Sequence, residues 1–343
     1  MAAEVARMPF RLPRLGWLAL AGAALWCVLA VIWPSAFLRG WLAVVFLVSG
    51  SAVGTLVLCA MMQLIPGLWD EELEPSAQRV AAFTPFAALL FLPILIGAGW
   101  LYPWEASGGK GAFREVWMMP FFWGTRAILF WLFAAGYGLI LQKNKASPSV
   151  VVTGLILLIL FFIPIAVDWF LFLDPEAHFS GFALTVLASF FLNALCVSIL
   201  LALVLGTPMK RPEILGSLLL AALLSWAYFG FMQYFITWSD NLPFGVHWYE
   251  RRAVGAWGLI EMMMVALHLL PLLLLLFGPV RRGVGWISGL CCVVLAGSAL
   301  EALWLVVPGE TRQTLAMLAA LLAAGVFGCA ASSVWSIRHK GAA

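Results

Sequence analysis

The chain has 343 residues, of which 64% are hydrophobic and only 10% charged, and its net charge at neutral pH is +3. A soluble enzyme, a nucleic-acid binder or a disordered scaffold needs a polar surface or basic patches, and 19 Lys and Arg beside 16 Asp and Glu provide neither. That balance marks a polytopic membrane protein.

Apolar runs long enough to cross roughly 30 Å of hydrocarbon occur at 15–33, 41–65, 83–101, 120–141, 150–173, 181–205, 213–236, 253–277, 284–307 and 313–335. Lipid leaves no partner for an open backbone, so runs this long and uniformly apolar are expected to be helices, giving an all-α fold of about ten transmembrane helices. Residues 1–14 carry Arg7, Arg11 and Arg14 ahead of the first run. A basic segment before an apolar run also fits a signal peptide, but no small-x-small cleavage site follows, so a retained anchor is expected. After the second run, Asp70, Glu71, Glu72 and Glu74 read as a solvated face. The connection 102–119 holds Gly108, Gly109 and Gly111 around Lys110, without the spacing of a phosphate loop, and reads as a flexible hairpin. A second long connection spans 237–252, and residues 336–343 form a polar tail.

Twelve Lys and Arg fall on the side that holds both termini, six on the other, and Arg126 lies inside the fourth run. The excess predicts cytoplasmic termini, in agreement with an even number of spans. Spans two to five (41–173) can be laid over spans six to nine (181–307), with a single flanking helix on either side. Each set has its longest outer connection between its second and third helices, and Asp168 and Glu301 each lie seven residues before a span-ending proline, Pro175 and Pro308. The expected organisation is two repeated four-helix bundles.

Charge inside a bilayer is costly unless paired or wetted, so Arg126, Asp168, Glu261 and Glu301 are candidate functional residues. At 1.5 Å per residue all four lie in the outer half, about 8 to 12 Å deep. Arg126 and Asp168 sit at matching depth on successive helices, which admits either a structural ion pair or the wall of a polar cavity for a quinone headgroup or protons. Glu261 and His268 are two turns apart on one helix face and can pass a proton through intervening water, or can simply hydrogen-bond a neighbouring helix. Glu301 can extend Glu261 into an acidic ladder.

The six cysteines all lie in apolar runs without CxxC spacing, which supports neither an iron–sulfur cluster nor covalent c-type haem and reads as small buried side chains. His178 and His247 fall in expected loops and His339 in the tail, so His268 has no second intramembrane imidazole with which to hold a haem b. Metal-ligand, nucleotide and nucleophile motifs are absent from the pattern, and catalysis by the chain alone is not expected. Most of the 18 tryptophans lie towards the outer face, where an aromatic belt accounts for many; a surplus on one side also fits a partner surface or an aromatic pocket.

The stretch Tyr234-Phe235-Ile236-Thr237-Trp238-Ser239-Asp240-Asn241-Leu242-Pro243, continued by Trp248-Tyr249-Glu250-Arg251-Arg252, resembles the ActF membrane subunit of alternative complex III. The matching positions run from Gln233 to Arg251 and include Gln233, Tyr234, Trp238, Asn241, Pro243, Trp248, Tyr249 and Arg251. His268 and Pro271 on the next helix, Leu101-Tyr102-Pro103-Trp104, and Trp304 with Pro308 extend the resemblance over roughly 40–310. Phe244 and Gly245 stand where that family usually has two glutamates, and Glu301 stands near an expected histidine.

The resemblance implies a ten-helix relative of the NrfD and polysulfide-reductase membrane subunits, placed in a bacterial cytoplasmic membrane. It implies assembly in a quinol-oxidising, cytochrome c-reducing respiratory complex with an NrfD-like sister subunit, an iron–sulfur subunit and a multihaem cytochrome c. Haem and iron–sulfur clusters would sit on those partners, with quinone or quinol as the one ligand this chain itself could meet. The sister subunit would be the better-supported quinol site, and this chain would conduct protons through Asp168, Glu261, His268 and Glu301. An anchoring subunit without proton or quinone chemistry is the alternative. A solute transporter fits less well, because Pro93, Pro164 and Pro271 interrupt spans at non-equivalent places in the two halves.

Overall fold

The computed structural model describes residues 14–104, 116–143, 146–240 and 243–340. Among these residues the fold is all-α, and ten helical segments are long and apolar enough to cross a membrane. The chain is a multi-pass membrane protein. In order, the helices are α1 (Arg14–Ile32), α2 (Pro34–Leu64), α3 (Leu68–Ala81), α4 (Thr84–Leu90), α5 (Leu92–Leu101), α6 (Pro120–Gln142) and α7 (Pro148–Trp169). They continue as α8 (Phe182–Val204), α9 (Pro212–Ser239), α10 (Pro243–Ala253), α11 (Ala256–Leu275), α12 (Gly278–Arg282), α13 (Val284–Val306) and α14 (Gln313–Lys340).

Proline sets several of these boundaries. Pro34, Pro120, Pro148 and Pro212 each open a helix in the first turn, where the missing N–H costs nothing. The hydroxyl oxygen of Ser147 additionally accepts from the Val150 N–H and caps α7. The third expected span, 83–101, is broken into α4 and α5 at Phe91, because Pro93 can make no backbone bond to the preceding turn. The second span begins earlier than the apolar run at 41, since Pro34 starts a 31-residue helix that carries Arg39 in its second turn. The long connection 237–252 is largely helical, so that His247, Trp248 and Tyr249 lie on α10 rather than in a loop.

α2 and α8, the first helices of the two halves suggested by the repeat, are the most buried spans and share the most extensive helix contact. Small residues make this possible: at Gly54 a Cβ would overlap the Phe190 backbone of α8. α14 packs on both α2 and α1, while α11 packs against α13. Lipid-facing positions such as Leu132, Leu160 and Phe121 stay exposed, as a bilayer solvent allows.

The ends of the bundle differ in character. At the end bearing α3, the Glu72 carboxylate is buried and accepts from the Arg211 N–H at 2.8 Å, neutralising the N-terminus of α9. This corrects the solvated reading of the acidic run, in which Asp70 and Glu71 sit in the first turn of α3 while Glu72 turns inward. At the other end, which bears α10, aromatic rings fill the first half. Trp169 stacks on Trp131 and lies 4.2 Å from Phe91 between ring centroids, the Tyr102 hydroxyl donates to the Trp169 carbonyl, and the Trp123 indole donates to the Asp168 carbonyl. Trp123, Trp169, Trp248, Trp257 and Trp304 are buried, so these are core rings and not a lipid-facing belt; Trp100 and Trp238 do face outward.

Candidate functional site

Three polar assemblies lie at or below the α10 end. The first joins α6 and α7. Arg126 Nε donates to Asp168 Oδ2 at 2.8 Å, Arg126 Nη2 lies 2.8 Å from the same oxygen, and the Trp117 indole donates to Asp168 Oδ1 at 3.3 Å. Arg126 also donates to the Trp117 carbonyl, and its guanidinium lies 4.0 Å from the Trp117 ring centroid and 4.8 Å from that of Phe122. Asp168 is 1% exposed. With both carboxylate oxygens engaged and aromatic faces over the cation, the pair is a closed clasp between helices.

The second assembly is built in the other half. Glu301 on α13 accepts from the Ser189 hydroxyl of α8 at 2.6 Å, and the Trp226 indole of α9 bridges its two oxygens at 3.2 Å each. Trp226 in turn stacks on the His268 ring at 4.0 Å and 11°. His268 Nδ1 lies 2.8 Å from the Met264 carbonyl and Nε2 lies 3.4 Å from the Ser298 hydroxyl. A carbonyl can only accept, so the ring proton belongs on Nδ1, leaving Nε2 to accept from Ser298. Gly297 makes room for the imidazole, since a Cβ there would sit 2.7 Å from His268 Cε1.

A row of polar groups, interrupted at Thr185 between its carbonyl and its hydroxyl, leads from this carboxyl towards the α10 end. The Ser189 hydroxyl also lies 3.2 Å from the Thr185 carbonyl, Thr185 donates to Gln233 Oε1 at 3.2 Å, and Gln233 Nε2 donates to the Tyr249 hydroxyl at 3.2 Å. Ser189 has one proton for two acceptors, so it can switch between Glu301 and the Thr185 carbonyl. Burial pushes the Tyr249 hydroxyl up to about 12, so it remains protonated at neutral pH. Glu261 stands apart: it is half-buried, and among the described residues no hydrogen bond or ion pair joins it to His268 or Glu301. The acidic ladder expected from its spacing is not formed by direct contact.

The third assembly was not singled out in the sequence. Asp174, just past α7, pairs with Arg252 Nη2 at 2.9 Å and with Arg251 Nη2 at 3.2 Å. Arg252 donates to the Trp304 and Leu305 carbonyls and Arg39 to the Val306 carbonyl, so two guanidinium groups cap the C-terminal turn of α13. Arg39 Nε lies 3.5 Å from Glu310 Oε2. Burial pulls Arg252 down to about 10 against the opposing pull of Asp174, and it stays charged at neutral pH. A cavity of about 440 Å³ opens beside Arg39, Tyr102, Asp174 and Arg251.

The outer motif divides between these assemblies. Gln233 and Tyr249 belong to the Glu301 route, and Trp248 lies under the Arg252 guanidinium at 3.7 Å. Tyr234 and Trp238 are exposed, Pro243 begins α10, and Asn241 lies outside the described residues, as does Lys110 with its glycines. The motif's buried cation is Arg252; Arg251, chosen from the sequence, is half exposed. Asp174 and Glu310 flank the two span-ending prolines, Pro175 and Pro308, and that placement was the available signal.

Among the described residues no group of three or more His, Cys, Asp and Glu side chains is placed to hold a metal ion. No family model matches the chain, and no curated protein matches it in sequence.

Proposed function

We propose that the chain is an integral membrane subunit of a quinol:electron-acceptor oxidoreductase, carrying no haem or iron–sulfur cluster, with a proton route in its second half. The residues that resemble the ActF segment supply the complex, and the chemistry of the Glu301 assembly supplies the role. A bacterial cytoplasmic membrane with both termini cytoplasmic follows from that resemblance and from the Lys and Arg excess. Partners on this reading are an NrfD-like sister subunit, an iron–sulfur subunit and a multihaem cytochrome c.

The observation that carries the role is a buried carboxyl, Glu301, with the polar groups of Ser189, Thr185, Gln233 and Tyr249 set in a row between it and the α10 end. The Ser189, Thr185 and Tyr249 hydroxyls can pass a proton through intervening water, while the Thr185 carbonyl and the Gln233 carboxamide can only orient it, and a buried acid among such groups is a recognised element of membrane proton relays. His268 shares Trp226 with Glu301 and marks a deeper level, roughly 18 Å along α11 from its start. Glu301→Gln preserves the hydrogen-bonding shape and removes the titrating group. In native membrane vesicles it is expected to leave the complex assembled while lowering the protons moved per quinol oxidised. Unchanged stoichiometry would remove the proton role.

That result would leave the anchoring reading, which the closed Arg126–Asp168 clasp favours. Its groups are spent on one another, as expected of a pair that holds two helices in register.

A further inference from the structure

The cavity of about 440 Å³ at the α10 end is bordered by two cations, Arg39 and Arg251, and two acids, Asp174 and Glu176. Their mutual pairing leaves part of this charge unspent. Arg39 is 8% exposed; its Nε faces Glu310 and its Nη1 donates to the Val306 carbonyl, while Nη2 has no hydrogen-bond partner among the described residues. The Glu176 carboxylate is exposed and likewise unpaired among them. Gly309 borders the cavity without a side chain: a Cβ there would stand 3.0 Å from Arg39 Nη1 and 3.5 Å from both Arg39 Nη2 and Asp174 Oδ1. A guanidinium donor and a carboxylate oxygen are thus within reach of one ligand.

A guanidinium N–H left unmade under cover is costly, and an anionic oxygen is its natural complement. A simple anion in the cavity would face Asp174 and Glu176, and a simple cation would face the two arginines. Behind this lining Arg252 and Glu310 add one further charge of each sign, so the site is balanced. Such a lining suits a ligand that carries both charges a few ångströms apart. Trp100, 62% exposed at the end of α5, stands where indoles mark the membrane–water boundary, and Pro103 and Leu173 give the cavity apolar surface. That level is the level of lipid headgroups, which favours a lipid over a dissolved zwitterion. We propose that the cavity binds the headgroup of a phosphatidylethanolamine-type lipid, its phosphate on Arg39 Nη2 and Arg251 and its ammonium on Glu176 and Asp174 Oδ1. A primary ammonium has N–H groups to give to those carboxylates, and the methylated ammonium of phosphatidylcholine has none.

The site is separate from the Glu301 row and needs no quinol chemistry. The full-length chain in detergent is titrated with phosphatidylethanolamine, phosphatidylcholine or phosphatidylglycerol of matched acyl chains, and bound lipid is counted by native mass spectrometry. One saturable phosphatidylethanolamine adduct is expected, about tenfold tighter than that of phosphatidylcholine, the worth of one charge-assisted hydrogen bond. Glu176→Gln should erase most of that preference without moving the melting temperature, since the side chain is exposed and ties no helix. Gly309→Leu, which fills the space beside Arg39, should abolish the adduct. Equal binding of phosphatidylethanolamine and phosphatidylcholine, a preference retained in Glu176→Gln, tightest binding of phosphatidylglycerol, or non-saturable uptake would overturn the proposal. Displacement by equimolar glycerophosphoethanolamine, the headgroup without its chains, would also overturn it and assign the cavity to a dissolved zwitterion.

Discussion

Replacing Arg252 with methionine tests how the α10 end is held together. The guanidinium is 2% exposed and serves four acceptors: Asp174, and the Trp248, Trp304 and Leu305 carbonyls. Methionine keeps much of the aliphatic stem but leaves Asp174 with the half-exposed Arg251 alone and strips two carbonyls of the last α13 turn of their donor. Removing one partner of a buried ion pair costs about 3–5 kcal/mol, most of it the uncompensated charge left behind. At roughly 2 °C per kcal/mol for a chain of this size, the melting temperature should fall by about 6–10 °C. Arg251→Met is the control. Its side chain is 49% exposed, and an ion pair so wetted is worth about 0–1 kcal/mol, or at most about 2 °C. With Cys27, Cys292 and Cys329, which are not buried, replaced by serine, thiol-reactive dye uptake by the detergent-purified protein on heating reads this, because Cys59, Cys196 and Cys291 are buried and become reactive on unfolding. Equal shifts in the two variants would refute the assignment of Arg252 as the buried tie.

Asp168→Asn should lower stability by about 3 kcal/mol or more by stranding Arg126, whereas Asp168→Asn with Arg126→Met should recover most of it; equal losses in single and double variants would dismiss the pairing energy. Trp226→Phe should preserve the ring stack on His268 while removing the indole bridge to Glu301, and is expected to reduce proton movement with little effect on assembly, measured in the same vesicles as Glu301→Gln. Gly54→Val should prevent accumulation of folded protein, since its side chain would collide with the Phe190 backbone of α8; normal yield would mean α2 and α8 can separate at no cost. Epitope tags at the two ends should be protected equally in sealed vesicles, and accessibility of one end only would overturn the topology.

The spans were legible because twenty consecutive apolar residues have few other uses; proline made the largest changes, the early start at Pro34 and the break at Pro93, while most other ends moved by a few residues. Which face of each span is buried was not legible. Lipid and protein interior are equally apolar, so hydrophobic periodicity carries no inward direction, and Trp123, Trp169 and Trp248 read as belt residues although they lie in the core. Charges within spans announced themselves, which is why Arg126, Asp168 and Glu301 stood out. Charges just beyond the spans did not. Asp174, Glu310 and Arg252 look in sequence like wetted loop residues, and only the packing of α10 against the end of α13 brings them under cover.

The central claim is membership of a quinol-oxidising complex, and mild-detergent purification of the tagged chain from its native membranes tests it most directly. Mass spectrometry of the co-purifying proteins, with a reduced-minus-oxidised spectrum, is expected to reveal multihaem cytochrome and iron–sulfur subunits in constant ratio to the chain. A haem-free protein that runs alone would contradict the account.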